Sequence, residues 1–291
     1  MDDYLGIVAV CGEEGTGKTT MGLTFPKPIR HFDVDVGGYR RAIWRLSAEG
    51  TESKGYPKPI QLDKLKGSVT TPASTRALIP KKVEGMKELW QMIVDDFVAA
   101  CQDTEVKTII IDSATLLWNI CHSSHLQMLQ ERQLFRWNND PQTKNRQFDE
   151  NDYRERLQPM EYGPANDRMR TILHTARSFS KNLVLVHYPT DEYGTIPSGK
   201  SDGSMVEGKT GNIILDGFKE TKKLVDLVVW TSIHETTNAG VTTKLPVCKI
   251  TKCGLEGAGL AAVGLEIPAT YEGIINLVNL LKGAANATPI L

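Results

Sequence analysis

Runs of consecutive apolar residues alternate along the chain with stretches whose apolar positions recur every third or fourth residue. That alternation predicts strands interleaved with helices. Leu5 to Cys11 (LGIVAVC), Ile29 to Val36 (IRHFDVDV), Val106 to Asp112 (VKTIIID), Leu183 to His187 (LVLVH), Leu224 to Ile233 and Lys244 to Thr251 read as strands. Between Met86 and Cys101 the apolar positions are 86, 89, 90, 93, 97 and 101, which is helical spacing. Thr115 to about Arg136 reads as a second helix. Met169, Ile172, Leu173, Ala176 and Phe179 line one face of a third. Thr270 caps a fourth, which buries Ile274, Ile275, Val278 and Leu281.

The remaining stretches break both periods. Residues 50–82 are rich in Gly, Pro, Ser, Thr and Lys and read as loop or short hairpin. Residues 189–217 are Gly-, Ser- and Thr-rich and read as a mobile segment, 137–159 as a polar insert, and the residues from Gly283 as a frayed tail. Strands alternating with helices imply an α/β fold with a mainly parallel central sheet flanked by helices. We read residues 1–291 as one domain, with a helical and loop insert over 119–160 and a flexible tail over 283–291.

Composition narrows the setting without naming a ligand. No apolar run approaches the ~18 residues of a membrane helix, so no membrane partner is expected. The acidic start MDDY is unlike a signal sequence. Five scattered cysteines without a CxxC fit a reducing cytoplasm. Cys121, His122 and His125 read as helix surface rather than as a zinc site. Net charge is −1, yet residues 38–82 hold ten basic against three acidic residues, a local +7. Tyr39, Trp44 and Tyr56 are interleaved there, a pattern that suits either single-strand binding or a solvated excursion.

The chemistry sits in Gly12-Glu13-Glu14-Gly15-Thr16-Gly17-Lys18-Thr19, which fits G-x-x-x-x-G-K-[ST] directly after a predicted strand. Glycines let successive backbone N–H groups face phosphate oxygens, and the following helix adds the positive end of its dipole. Gly12, Gly15, Thr16, Gly17, Lys18, Thr19 and Thr20 are therefore the candidate nucleotide-binding residues. Lys18 would reach the β- and γ-phosphates, and the Thr19 hydroxyl would ligate Mg²⁺. Asp112, ending the buried strand before Ser113, is the candidate second partner of that metal. The triplet Gly208-Lys209-Thr210 lacks the preceding strand and first glycine of such a loop. Hydrolysis also needs a carboxylate for the attacking water. Asp33 and Asp35 both stand near the end of the second strand, on one face of it unless the strand has already ended.

The order phosphate loop, FDVD strand, helix, IIIDS strand, helix, strand ending in a polar residue resembles the RecA-like P-loop ATPases. It is most similar to the short phage-encoded RecA-like proteins of single-strand annealing and recombination. The resemblance implies ATP and Mg²⁺ as cofactors and ATP hydrolysis as the reaction. In that family the catalytic glutamate ends the second strand, in an IDAE- or DTE-like sequence. The matching position here is Asp35, with Asp33 next, and an aspartate one methylene shorter implies slow or partner-dependent hydrolysis. His187 matches the polar sensor of the γ-phosphate, and also reads as a strand-end histidine bonded to a loop. Together Lys18, Asp35 and His187 form the candidate catalytic set, with Thr19 and Asp112 on the metal.

The resemblance further implies single-stranded DNA as partner, a homo-oligomer, a recombination or replication protein nearby, and the cytoplasm of a bacterial host. Residues 189–217 stand where such proteins carry a DNA-contacting loop, with Lys200 and Lys209 set against Asp202 and Glu207. Lys249 and Lys252 stand where relatives send basic residues into a neighbour's site, but with K-x-x-K spacing they read as a solvated edge strand. Two other classes stay open. One is a nucleotide-dependent assembly or loading factor acting on protein. The other is a small-molecule kinase using the arginines of the insert, Arg132, Arg136, Arg146, Arg154 and Arg156.

Overall fold

A computed structural model describes residues 4–44, 46–59, 81–143, 146–149, 152–197, 205–238 and 241–287. Its main sheet has eight strands in the order β10-β9-β8-β1-β5-β4-β2-β3. They are β1 (Ile7–Gly12), β2 (Ile29–Asp33), β3 (Thr51–Gly55), β4 (Thr108–Asp112), β5 (Asn182–His187), β8 (Leu227–Asn238), β9 (Val241–Cys253) and β10 (Glu266–Pro268). From β8 across to β3 all neighbours are parallel, while β9 and β10 pair antiparallel. The three central strands β1, β4 and β5 are buried along their whole length. A parallel strand covered on both faces needs such a continuous apolar run, and their sequences supply it.

Helices cover both faces. On one lie α3 (Met86–Gln102), α4 (Ala114–Asn139) and α5 (Tyr162–Ser178), whose Leu89, Phe97, Leu117, Ile120, Met169 and Ile172 pack on the sheet. On the other lie α1 (Lys18–Gly22), α2 (Gly38–Ile43) and α7 (Tyr271–Ala287), with Met21, Ala42 and Ile274 in a second core. A short α6 (Thr221–Leu224) leads into β8. The expected α/β architecture is present: a mostly parallel central sheet with helices on both faces.

Several boundaries differ from the sequence reading, each for a local reason. The second strand stops at Asp33 rather than Val36, because the amides of Val34 and Asp35 both turn onto the Asp112 carbonyl. Asp33 and Asp35 therefore do not share a strand face. Thr51–Gly55 is neither loop nor hairpin but the edge strand β3, parallel to β2, and residues 60–80 lie outside the described residues. The expected mobile segment contains β6 (Pro189–Pro197) and β7 (Met205–Leu215), paired as a separate two-stranded ribbon. Lys200 and Asp202 lie outside the described residues. The last helix continues past Gly283 to Ala287, and α4 runs through the first part of the insert to Asn139. No helix among the described residues is long and apolar enough to cross a membrane, and all five cysteines are unpaired.

Candidate functional site

The phosphate loop leaves β1 at Gly12 and enters α1 at Lys18. Gly17 has φ 92°, left-handed backbone that favours glycine. The loop is tied down from beside: Thr16 Oγ1 donates to the Glu13 carbonyl at 2.8 Å and hydrogen-bonds Thr231 Oγ1 at 2.7 Å. Lys18 is buried, and its ammonium donates to the carbonyls of Gly12 and Glu13, each at 2.7 Å. A Lys ammonium has three donors, so one remains for a phosphate. Burial lowers the Lys18 pKa, while the Cys11 thiol and the Asp112, Glu13 and Glu14 carboxylates oppose that shift. Because α1 is only five residues long, its dipole is slight, and an anion held there would depend on the loop amides and Lys18.

Thr19 Oγ1 donates to Asp112 Oδ2 at 2.5 Å, joining the loop to the end of β4. Gly38, at the start of α2, approaches the same carboxylate so closely that a Cβ there would lie 2.9 Å from Asp112 Oδ2. Behind it, the buried His31 binds Ser53 Oγ through Nδ1 at 2.8 Å and holds Nε2 3.7 Å from Asp112 Oδ2. Asp33, in register with Asp112, accepts from the Gly37 amide at 3.0 Å through Oδ2, while its buried Oδ1 has no partner. The Thr19 hydroxyl and the Asp112 carboxylate, with Asp33 in register on the neighbouring strand, make a hard-oxygen environment that fits Mg²⁺. No group of three or more His, Cys, Asp or Glu among the described residues could hold a metal by itself. Mg²⁺ characteristically relies on one or two protein ligands plus phosphates and water.

These groups open into a cleft of about 480 Å³, lined by Gly15, Gly17, Lys18, Thr19, Thr20, Asp35 and Asp112 among the expected residues. Gly12 and Thr16 lie beneath the loop, against Thr231 of β8. His187 does not reach the cleft: its ring is buried, Nδ1 donates to the Asp216 carbonyl at 2.8 Å, and Nε2 has no partner. Burial pushes its pKa down to about 4, against the hydrogen bond to Asp216. The polar side chain facing the cleft is its neighbour Tyr188, whose hydroxyl donates to Asp35 Oδ2 at 2.6 Å. Arg41 Nη2 lies 3.9 Å from that same oxygen. Tyr188, Arg41, Gly38, Glu14 and Trp44 are lining residues that sequence reasoning missed. The double glycine after FDVDV was the one visible sign of a close approach.

The surfaces expected to bind a nucleic-acid strand fare unevenly. Within 38–82, Lys54 is paired with Asp96, Lys81 with Glu155 and Lys82 with Glu84. Tyr56 is a core residue at 1% exposure rather than a stacking platform, Tyr39 packs beside His31, and Trp44 is 71% exposed. Arg45, Lys64, Lys66 and Arg76 lie outside the described residues. Lys252 donates to the carbonyls of Lys222, Lys223 and Val225 and so caps α6. β9 is not an edge strand, since β10 pairs along Val247–Lys249. On α4, Arg132 and Arg136 are exposed one turn apart and unpaired among the described residues, and line a cleft of about 580 Å³ with Trp137 and the Arg154–Glu161 pair. Cys121 and His125 are not helix surface as read from the sequence: both are buried, and Cys121 Sγ donates to the Ala165 carbonyl inside the core.

A family model described as an AAA domain matches residues 7–252. Among solved structures, a KaiC-like protein from the hyperthermophilic archaeon Pyrococcus horikoshii OT3 is similar at 13% identity, with 91% of this chain and 85% of that chain covered and a TM-score of 0.39. No curated protein matches the chain.

Proposed function

Since the chain belongs to the AAA domain family, we propose that it binds ATP with Mg²⁺, hydrolyses it, and uses the cycle to grip and release single-stranded DNA in phage-type recombination, replication or repair. The observation that carries the first part is the 2.5 Å contact of Thr19 with Asp112 in the cleft that Lys18 also lines. Thr19 and Asp112 would hold Mg²⁺, which when bound would supply charge neutralisation for the terminal phosphates. Lys18 turns its remaining donor to the β- and γ-phosphates. Asp35 takes a proton from the attacking water as that water's oxygen bonds to the γ-phosphorus and the bond to the bridging oxygen of ADP breaks. The proton then passes to solvent. Asp33 suits this role less, because Oδ2 is held by the Gly37 amide and the residue is not part of the cleft lining.

The DNA part is supported by Arg132 and Arg136, exposed one turn apart on α4 and unpaired among the described residues, which suits contact with a phosphate backbone. The same arginines argue against a small-molecule kinase. Arg132 lies about 27 Å along the helix axis from the first residue of α4, beyond reach of a transferred phosphoryl group at Asp112. A second reading, a nucleotide-dependent factor acting on protein, is favoured by the β6–β7 ribbon. That ribbon exposes Tyr193, Met205, Val206 and Ile213, and carries Asp191, Glu192 and Glu207 against Lys209 alone among its described residues.

The deciding experiment is steady-state ATP hydrolysis with and without single-stranded DNA, with Lys18→Ala as the blank. Turnover that rises with DNA and vanishes in the blank supports the DNA-directed ATPase. Turnover indifferent to DNA moves the assignment to the protein-directed factor. Unchanged turnover in Lys18→Ala removes the site itself.

A further inference from the structure

Asp35 leaves β2 on a short connection, and among the described residues only two side chains touch its carboxylate. The Tyr188 hydroxyl donates to Oδ2 at 2.6 Å and Arg41 stands 3.9 Å from the same atom. Arg41 is largely exposed, whereas Tyr188 is fixed through every handle it has. Its amide donates to Thr115 Oγ1 at 3.2 Å, and its carbonyl accepts from the Asp216 amide at 2.9 Å. Its ring lies under the Lys18 ammonium, 5.5 Å from the centroid. Thr115 and His187 both bind the Asp216 carbonyl, at 3.0 and 2.8 Å, so the segment holding the ring is braced on both sides.

We propose that Tyr188 is the positioning residue of this ATPase: by occupying Oδ2, it turns the other oxygen of Asp35 toward the attacking water. The inference rests on the ATPase reading above and adds a residue to it. A tyrosine suits the task, because its hydroxyl reaches across the cleft while its ring packs against Lys18, so one rigid side chain relates the phosphate-binding charge to the proton acceptor. Burial raises the Tyr188 pKa, aided by its bond to Asp35 and by that carboxylate's charge, so the phenol keeps the proton it donates.

Tyr188→Phe keeps the ring and removes only the donor. The expected result is ATP affinity within about twofold of the parent, an unchanged thermal midpoint, and kcat lower by about tenfold. A double-mutant cycle separates positioning from packing: if the hydroxyl acts through Asp35, Asp35→Asn combined with Tyr188→Phe turns over no more slowly than Asp35→Asn alone. Equal kcat in Tyr188→Phe and parent overturns the inference, and so do additive losses in the cycle or a matched loss of affinity and stability. Each of those outcomes leaves the ATPase reading standing. Absence of turnover in the parent protein removes both.

Discussion

Gly38→Ala adds a single methyl to the floor of the nucleotide cleft, and its effect follows from three distances. The new Cβ would lie 2.9 Å from Asp112 Oδ2 and 3.5 Å from both Asp112 Cγ and Thr19 Oγ1. Gly38 lies outside the left-handed region, so the backbone accepts alanine without strain. Alanine even favours the helix, by up to about 1 kcal/mol. The contact with Oδ2 is too close to persist, so the carboxylate must move away from Thr19. A hydrogen bond to a charged group contributes about 1.5–3 kcal/mol. Weakening the Thr19–Asp112 bond therefore predicts a loss of Mg²⁺-dependent nucleotide affinity of roughly ten- to hundredfold. The assay is calorimetric titration with a non-hydrolysable ATP analogue, once in excess Mg²⁺ and once in chelator. In chelator the variant and parent should agree within about twofold, because the loop and Lys18 are untouched. Equal affinity in Mg²⁺, or the same deficit in both conditions, would refute the assignment of Asp112 and Thr19 to the metal.

Three further outcomes test other parts of the molecule. Asp35→Asn should retain nucleotide binding and lose at least about a hundredfold in turnover, as read by phosphate release; persisting turnover would shift the base to Asp33. Arg132→Ala with Arg136→Ala should leave DNA-free hydrolysis unchanged. It should weaken single-strand binding and lower the salt slope by about 1.4, the contribution of two phosphate contacts; an unaltered slope places the strand elsewhere. His187, held neutral with its pKa near 4 against an ordinary 6.5, stabilises the fold fully above pH 6.5. As pH falls through that value the unfolded chain takes the proton first, and by pH 4 a contribution on the order of 3 kcal/mol is gone. Denaturant melts across this range should show the decline in the parent, and a smaller one in His187→Gln.

The phosphate loop and Asp112 were legible because their chemistry fixes residue types. A turn built of glycines, a lysine, a hydroxyl and an acid ending an apolar strand admit few substitutes. The central strands were legible for the opposite reason, since burial on both faces leaves only apolar residues. That same burial hid which strand-end side chain faces the cleft. LVLVH has no in–out alternation, so nothing in it tells that His187 turns to Asp216 while Tyr188 faces the cleft. Edge and ribbon strands were hidden too. β3 (TESKG) buries none of its residues, and β6 and β7 lack any buried apolar face, so polar sequence there read as loop. The end of β2 was set by a carbonyl on another strand, Asp112, which no local window contains.

The strand order also dictates when this site can exist. Both neighbours of β1 come from far along the chain, Asn182–His187 on one side and Leu227–Thr231 on the other. The loop's own brace, Thr231, lies 215 residues from Thr16. The Thr19–Asp112 bond spans the end of β5, bridging two strand spacings of about 4.8 Å each. During synthesis the phosphate-binding sequence therefore emerges well before both strands that flank β1, and has no partner strands until most of the domain has followed. Such long-range pairing is slow to form. Nucleotide then acts late, stabilising only chains that have completed the sheet, by an amount that grows with the logarithm of its concentration above Kd. Competence to bind ATP would thus serve as the molecule's own certificate of complete folding.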